Sequence, residues 1–213
     1  LTVTLGSLAS AAGLSVIDSV GGQTNTITLG SGFTNDFTYD MTGATATTVF
    51  KATDYTGALT VKANLGNVLT ASDTVTGGAG TSDKFQIVGD GTGDDITATL
   101  AANLTAFETW EITDNRDYSL TTSENNIADG KTLNIDATKI TTSALTFDGR
   151  AENDGKFVIT TAGAGAHSVQ LGNSDDTYTS TSTGADAITA VAGNNTITTG
   201  DGDDVITGGT GAD

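Results

Sequence analysis

Apolar and polar residues alternate over short stretches from the start of the chain: LTVTL from Leu1, LSVIDSV from Leu14, NTITLGSG from Asn25 and DFTYDM from Asp36. A two-residue period places successive side chains on opposite faces of an extended backbone, so these stretches predict strands. From Ala162 to Asp213 the chain can be written in lines of nine residues: AGAGAHSVQ, LGNSDDTYT, TSTGADAIT, AVAGNNTIT, TGDGDDVIT and GGTGAD. Only Ser180 interrupts the count. Each line pairs a glycine-rich turn with a short strand, whose one large side chain (Tyr178, Ile188, Ile197 or Ile206) points inward. Leu8 to Ile17 is the only stretch that admits a short helix.

A repeat of fixed length asks for one backbone shape repeated, so the chain is expected to coil into a solenoid. A longer period is visible as well. Phe50 to Val61 (FKATDYTGALTV) aligns with Ile135 to Phe147 (IDATKITTSALTF), and both are followed by glycine and aspartate repeats. This divides the chain into an N-terminal segment, 1–49, a first module, 50–134, with acidic turns at 68–97, and a second module, 135–213, with acidic turns at 162–213. All three are read as one continuous all-β, parallel solenoid. Asn25 to Gly32 nearly repeats Asn195 to Gly202, which suggests a similar turn without its acids. LTAFETWEIT, from Leu104 to Thr113, reads as a coil with one wet face, carrying Glu108 and Glu111, and with Trp110 as a packing residue.

The candidate chemistry sits in the turns. Glycines near the front of each line, Gly200 and Gly202 among them, permit positive φ and close stacking of turns. Asp176, Asp186, Asn195 and Asp204 follow at position six, where stacked turns bring backbone carbonyls together. Carboxylates beside carbonyls suit a hard, oxygen-seeking cation. Asp73, Asp83, Asp90 and Asp94 are the corresponding acids of the first module, and Asp148 and Asp154 in the loop DGRAENDG are weaker candidates. His167 occupies the acid position of the first line, where it reads as a degenerate repeat residue.

These lines resemble the G-G-x-G-x-D-x-U-x nonapeptide of the RTX (repeats-in-toxin) proteins, whose repeats form a Ca²⁺-binding β-helix. Thr199 to Thr207 and Gly208 to Asp213 are the closest matches, joined by Gly77 to Phe85 and Gly89 to Thr97. The resemblance implies a parallel β-roll holding several Ca²⁺ ions, each between lines n and n+2. It pairs Asp186 with Asp204, Asp176 with Asn195, and Asn195 with Asp213. It also implies that sites using His167 or Asn195 are weak or empty. The segment LTAFETWEIT is similar to those of RTX-bearing bacterial surface-layer proteins.

Composition narrows the function. The 213 residues carry 26 acidic and 8 basic side chains, a formal charge of -18, which disfavours nucleic acid and anionic lipid as partners. Such acid density implies dependence on a divalent cation. With no Cys and one His, the chain lacks ligands for Zn²⁺, Fe–S clusters and disulfides. Roughly one residue in five is Thr and there is no Pro, which suits β-branched strands joined by glycine turns. No apolar run reaches the roughly 20 residues of a membrane-spanning helix. The chain starts without Met and stops inside a repeat, so it reads as a piece of a longer protein.

No catalytic constellation stands out, so the expected role is structural: a secreted, extracellular protein of the bacterial cell surface, folding on Ca²⁺ binding. Its expected partners are copies of itself, in a lattice or filament, and cell-surface polysaccharide, with no membrane insertion. The alternatives are a module of a large RTX adhesin, binding a host, a surface or ice, and the C-terminal export region of an RTX exoenzyme.

Overall fold

The computed structural model describes residues 2–6, 14–18, 23–65, 70, 72–89, 95–100 and 102–213. Its strands are short and follow in the order β1 (Thr2–Leu5), β2 (Leu14–Ile17), β3 (Asn25–Leu29), β4 (Phe37–Asp40), β5 (Thr48–Lys51), β6 (Leu59–Ala63) and β7 (Thr74–Thr76). Then come β8 (Lys84–Ile87), β9 (Ile96–Thr99), β10 (Leu104–Thr105), β11 (Thr109–Ile112), β12 (Tyr118–Thr121) and, after a 3-10 turn at Glu124–Asn126, β13 (Thr132–Ala137). The last are β14 (Leu145–Asp148), β15 (Lys156–Thr161), β16 (Ser168–Gln170), β17 (Thr177–Ser180), β18 (Ala187–Thr189), β19 (Thr196–Thr198) and β20 (Val205–Thr207).

Every strand pair among the described residues is parallel. One nine-stranded sheet, β2-β4-β6-β8-β11-β13-β15-β17-β19, forms an unbroken face. The opposite side is made first by the sheet β1-β3-β5-β7-β10 and then by β9-β12-β14-β16-β18-β20. The chain is thus a two-sided parallel β-solenoid. Between β8 and β11 it makes two strands instead of one: β9 founds the later sheet, and β10 closes the earlier one by pairing with β7.

The core follows from the register. Phe85, Trp110, Ile135, Ile159, Tyr178 and Ile197 stack in one inward row. Leu120, Phe147, Val169 and Ile188 face them from the other sheet. Trp110 is 1% exposed, with its ring edge-on to Phe85, and acts as packing. Toward the N-terminus the filling is aromatic, with Tyr39 stacked on Phe50 and Phe33 on Tyr55. Fully burying a side chain of this size stabilises by about 1.5–3 kcal/mol, so these coils carry their own core.

Two kinds of corner join the strands. In the N-terminal coils β4, β5 and β6 begin eleven residues apart, at Phe37, Thr48 and Leu59. Each corner there is a β-turn, with Phe33, Ala44 and Tyr55 donating their N–H to Gly30, Met41 and Ala52 and burying their side chains. The turn after Asn25 is of this apolar kind, and not an acid-stripped nonapeptide. In the C-terminal coils the repeat contracts: aligned residues lie 22 apart at Leu145 and His167, 19 at His167 and Asp186, and 18 at Asp186 and Asp204. Ser180, the last residue of β17, accounts for the step from 19 to 18.

Three further expectations change. Leu14–Ile17 is a strand paired with Phe37–Asp40, since β-branched Val16 and Ile17 gain a ladder there; the rest of the expected helix lies outside the described residues. LTAFETWEIT is two strands around a corner, because Ala106, at φ 59°, turns the chain between β10 and β11. Finally, the aligned segments at Phe50 and Ile135 start on opposite sides of the solenoid, Phe50 in β5 and Ile135 in β13.

Candidate metal-binding corners

At these corners an N–H at the start of a strand, or just before it, points along the stack. Here side chains from the next coil accept those donors. Phe157 N–H donates to Asp176 Oδ1 (2.8 Å), Asp176 N–H to Asn195 Oδ1 (2.9 Å), and Asn195 N–H to Asp213 Oδ1 (2.9 Å). On the other edge Leu145 N–H donates to His167 Nδ1 (3.1 Å), His167 N–H to Asp186 Oδ1 (2.9 Å), and Asp186 N–H to Asp204 Oδ1 (2.8 Å). Two side-chain ladders therefore run up the corners, and they join the same pairs that the n to n+2 spacing pairs: Asp186 with Asp204, Asp176 with Asn195, and Asn195 with Asp213.

His167 is 1% exposed and acts as an acceptor in this ladder. Acceptance at Nδ1 places the ring proton on Nε2, which faces the Ala162 carbonyl at 3.3 Å. Asn195 serves equally with its amide oxygen. Position six thus requires an acceptor, and a carboxylate is one of three ways to supply it.

The first module repeats the device. Asp73, 2% exposed, accepts Thr48 N–H (2.6 Å) on one oxygen and Thr70 N–H and Oγ1–H on the other. Asp83, fully buried, accepts Leu59 N–H (3.2 Å) and Gly78 N–H (2.7 Å). Above it Glu108 Oε2 accepts Asp83 N–H at 2.8 Å. Glu108 belongs to the ladder, not to a wet face; its place directly before a strand, 25 residues after Asp83, is the signal that locates it. Asp90 and Asp94 lie outside the described residues.

The glycines bring carbonyls to the same corners. Gly193, Gly202 and Gly211 have φ of 92°, 136° and 150°, where side chains are strained. A Cβ on Gly200 would stand 2.1 Å from the Ser182 carbonyl oxygen, one on Gly202 2.5 Å from that of Gly184, and one on Gly211 1.9 Å from that of Gly193. Backbone oxygens of one coil thus lie against the glycines of the next, beside the carboxylates. The donor set is all oxygen and negatively charged, which fits Ca²⁺. Asp176, Asp186, Asp204 and Asp213 with the neighbouring carbonyls would hold the ions, and Asn195 would give a neutral oxygen. A bound ion would supply positive charge to the buried carboxylates of Asp176 and Asp186 and to the more exposed ones of Asp204 and Asp213.

Electrostatics agree with that fit. Burial pushes Asp176 up to about 6, against the pull of its two N–H donors, with Glu152 and Asp175 adding repulsion. Burial also raises Asp83 and Glu108. Tyr178 reaches across the core and donates its hydroxyl to Asp186 Oδ2 at 3.1 Å.

The inserted loop divides. Asp148 is gripped by Arg150 at 2.8 Å, which holds its carboxyl below the usual range. Asp154 instead meets Glu124 and Glu152, one carboxylate oxygen of each lying within 4.8 Å of the others. Neither glutamate stands in a nonapeptide, so no spacing rule points to them.

Residues 180–213 match the RTX calcium-binding nonapeptide repeat family, in four copies. The match begins where the coil reaches its 18-residue length. No curated protein and no solved structure matches the chain.

Proposed function

Because residues 180–213 are RTX calcium-binding repeats, we propose that the chain is a structural protein of the bacterial cell surface, a surface-layer or surface-filament subunit ordered by Ca²⁺ after secretion. Its task is mechanical and not catalytic. The observation that carries this reading is the pair of corner ladders, in which buried acceptors and close-stacked glycines recur in phase on both edges. At low free Ca²⁺ the acidic corners repel one another and the C-terminal coils stay open. At the millimolar levels outside a cell the ions fill, and binding energy becomes folding energy.

Assembly with copies of itself is supported by the ladder's form. The continuous sheet ends on β2 and β19, and parallel strand edges of this kind are natural association surfaces. Among the described residues no helix is long and apolar enough to cross a membrane. An ice- or surface-binding adhesin module would want unbroken threonine rows. Outward Thr177 and Thr179 do align with Thr196 and Thr198, but lower on the same face Lys84, Gln86 and Glu111 interrupt them. Electron microscopy of the purified chain with Ca²⁺ and with chelator tests the reading. Ordered sheets or filaments that form only with Ca²⁺ support it, and monodisperse single particles under both conditions overturn it.

A further inference from the structure

At the handover from the earlier to the later sheet, outside the corner ladders, a carboxylate is buried without a cationic partner among the described residues. β10 is the last strand of its sheet, so its outer edge needs a cover. The 3-10 turn Glu124–Asn126 supplies it: Asn126 Nδ2–H donates to the Leu104 carbonyl at 2.8 Å. The corner Gly149–Gly155 of the following coil lies next in the stack, tied down by Glu124 Oε2, which accepts Asn153 N–H (3.1 Å) and Nδ2–H (2.5 Å). Gly130 N–H adds a bond to the Asp154 carbonyl at 3.2 Å.

Within this joint Glu152 is 0% exposed. Its Oε1 accepts Gly155 N–H (2.8 Å) and Asp154 N–H (3.3 Å). Its Oε2 is buried and meets no donor among the described residues. Oxygens of Glu124 and Asp154 lie within 4.8 Å, and none of the three carboxylates is paired with a Lys or Arg among the described residues. A buried carboxylate oxygen with two further carboxylates beside it is destabilising unless a cation joins them or a proton neutralises one of them. Access is open, since Glu124 and Asp154 also line a surface cleft with Thr105, Ala106 and Asp129.

We propose that Glu124, Glu152 and Asp154 form a Ca²⁺ site separate from the nonapeptide corners, which staples the cover of β10 to the next coil. The donors are all carboxylate oxygens and come from two successive coils, with Glu124 and Asp154 open to water and Glu152 buried behind them. That suits Ca²⁺, which accepts irregular oxygen geometry and completes its shell with water, better than a metal seeking nitrogen or sulfur. The ion would hold the solenoid together where one of its sheets is exchanged for another.

The test is a count of bound ions. Native mass spectrometry of the full chain, equilibrated with CaCl₂, gives the stoichiometry for the wild type, Glu152→Gln and Glu124→Gln. Each variant is expected to bind one Ca²⁺ fewer and to keep the wild-type far-UV circular dichroism in saturating Ca²⁺. Glu124 is half-buried and removable with less disturbance, so it carries the test if Glu152→Gln misfolds. An unchanged count in folded Glu124→Gln overturns the site while leaving the nonapeptide sites standing. A wild type that binds no Ca²⁺ overturns both this site and the proposed function.

Discussion

Asp186 donates its backbone N–H to the carboxylate of Asp204, 2.8 Å away, while its own carboxylate accepts the N–H of His167 at 2.9 Å. Each rung is thus donor to the coil above and acceptor for the coil below. The same residues give the corner its negative charge. Structural support and ion binding are therefore two uses of one side chain, and substitutions can separate them.

Asp186→Asn keeps an oxygen for His167 N–H and loses the charge, as Asn195 does naturally. It is expected to raise the Ca²⁺ midpoint of folding about tenfold, or about 1.4 kcal/mol, with little loss of stability once Ca²⁺ saturates. Asp186→Ala removes the acceptor as well and should cost a further 1–3 kcal/mol, roughly, at saturating Ca²⁺. Thermal melts across a Ca²⁺ series distinguish them; identical behaviour of the two variants would contradict the rung role.

His167 has no charge to contribute in its ladder form, so its replacement tests the scaffold alone. His167→Ala orphans the buried Leu145 N–H and should cost about 1–3 kcal/mol. His167→Asn, which restores an acceptor, should recover much of the loss. Melting in excess Ca²⁺ measures both, and a neutral alanine variant would show that the rung carries no weight.

Protons should substitute for Ca²⁺ in part. Asp176 has its folded value raised to about 6 from an ordinary 3.8. The stability linked to it is fully present below the ordinary value and is lost as pH rises through about 6, a swing of about 3 kcal/mol. Asp83, Glu108 and Glu152 are shifted in the same direction by burial. In chelator the chain is therefore expected to gain β structure as pH falls from 7 toward 5, above its pI of about 4.1. Asp176→Asn should flatten that gain. Circular dichroism in chelator that shows structure increasing with pH over this range would be the opposite result.

Ala106 is the one described residue other than glycine with positive φ, at 59°. It is exposed, so its methyl contributes little packing. Ala106→Gly should stabilise by about 0.5–1 kcal/mol by relieving the left-handed strain, read as a raised melting temperature in Ca²⁺. A lowered one would mean that the turn between β10 and β11 is held by something other than its backbone.

The nine-residue corners were legible because one residue must accept a hydrogen bond and its neighbours must be small, a demand that repeats at every turn. The eleven-residue corners at Phe33, Ala44 and Tyr55 were not, since any buried side chain of suitable size closes them and leaves no motif. Glu108 was hidden inside an apparent alternation that Ala106 breaks. The aligned segments at Phe50 and Ile135 encode a half-coil, strand, turn and strand, and such a unit does not specify the side of the solenoid on which it lies. Glu124 and Glu152 meet only through stacking, at a spacing that no repeat carries.

The central claim is that Ca²⁺ orders the acidic coils, while the aromatic N-terminal coils rely on their own core. Hydrogen exchange of the intact chain, compared in Ca²⁺ and in chelator, tests it most directly. The account predicts that amides from Ser168 to Thr207 lose protection on Ca²⁺ removal, with the smallest change over Phe37 to Ala63. Equal protection of Ser168 to Thr207 in both conditions would contradict it.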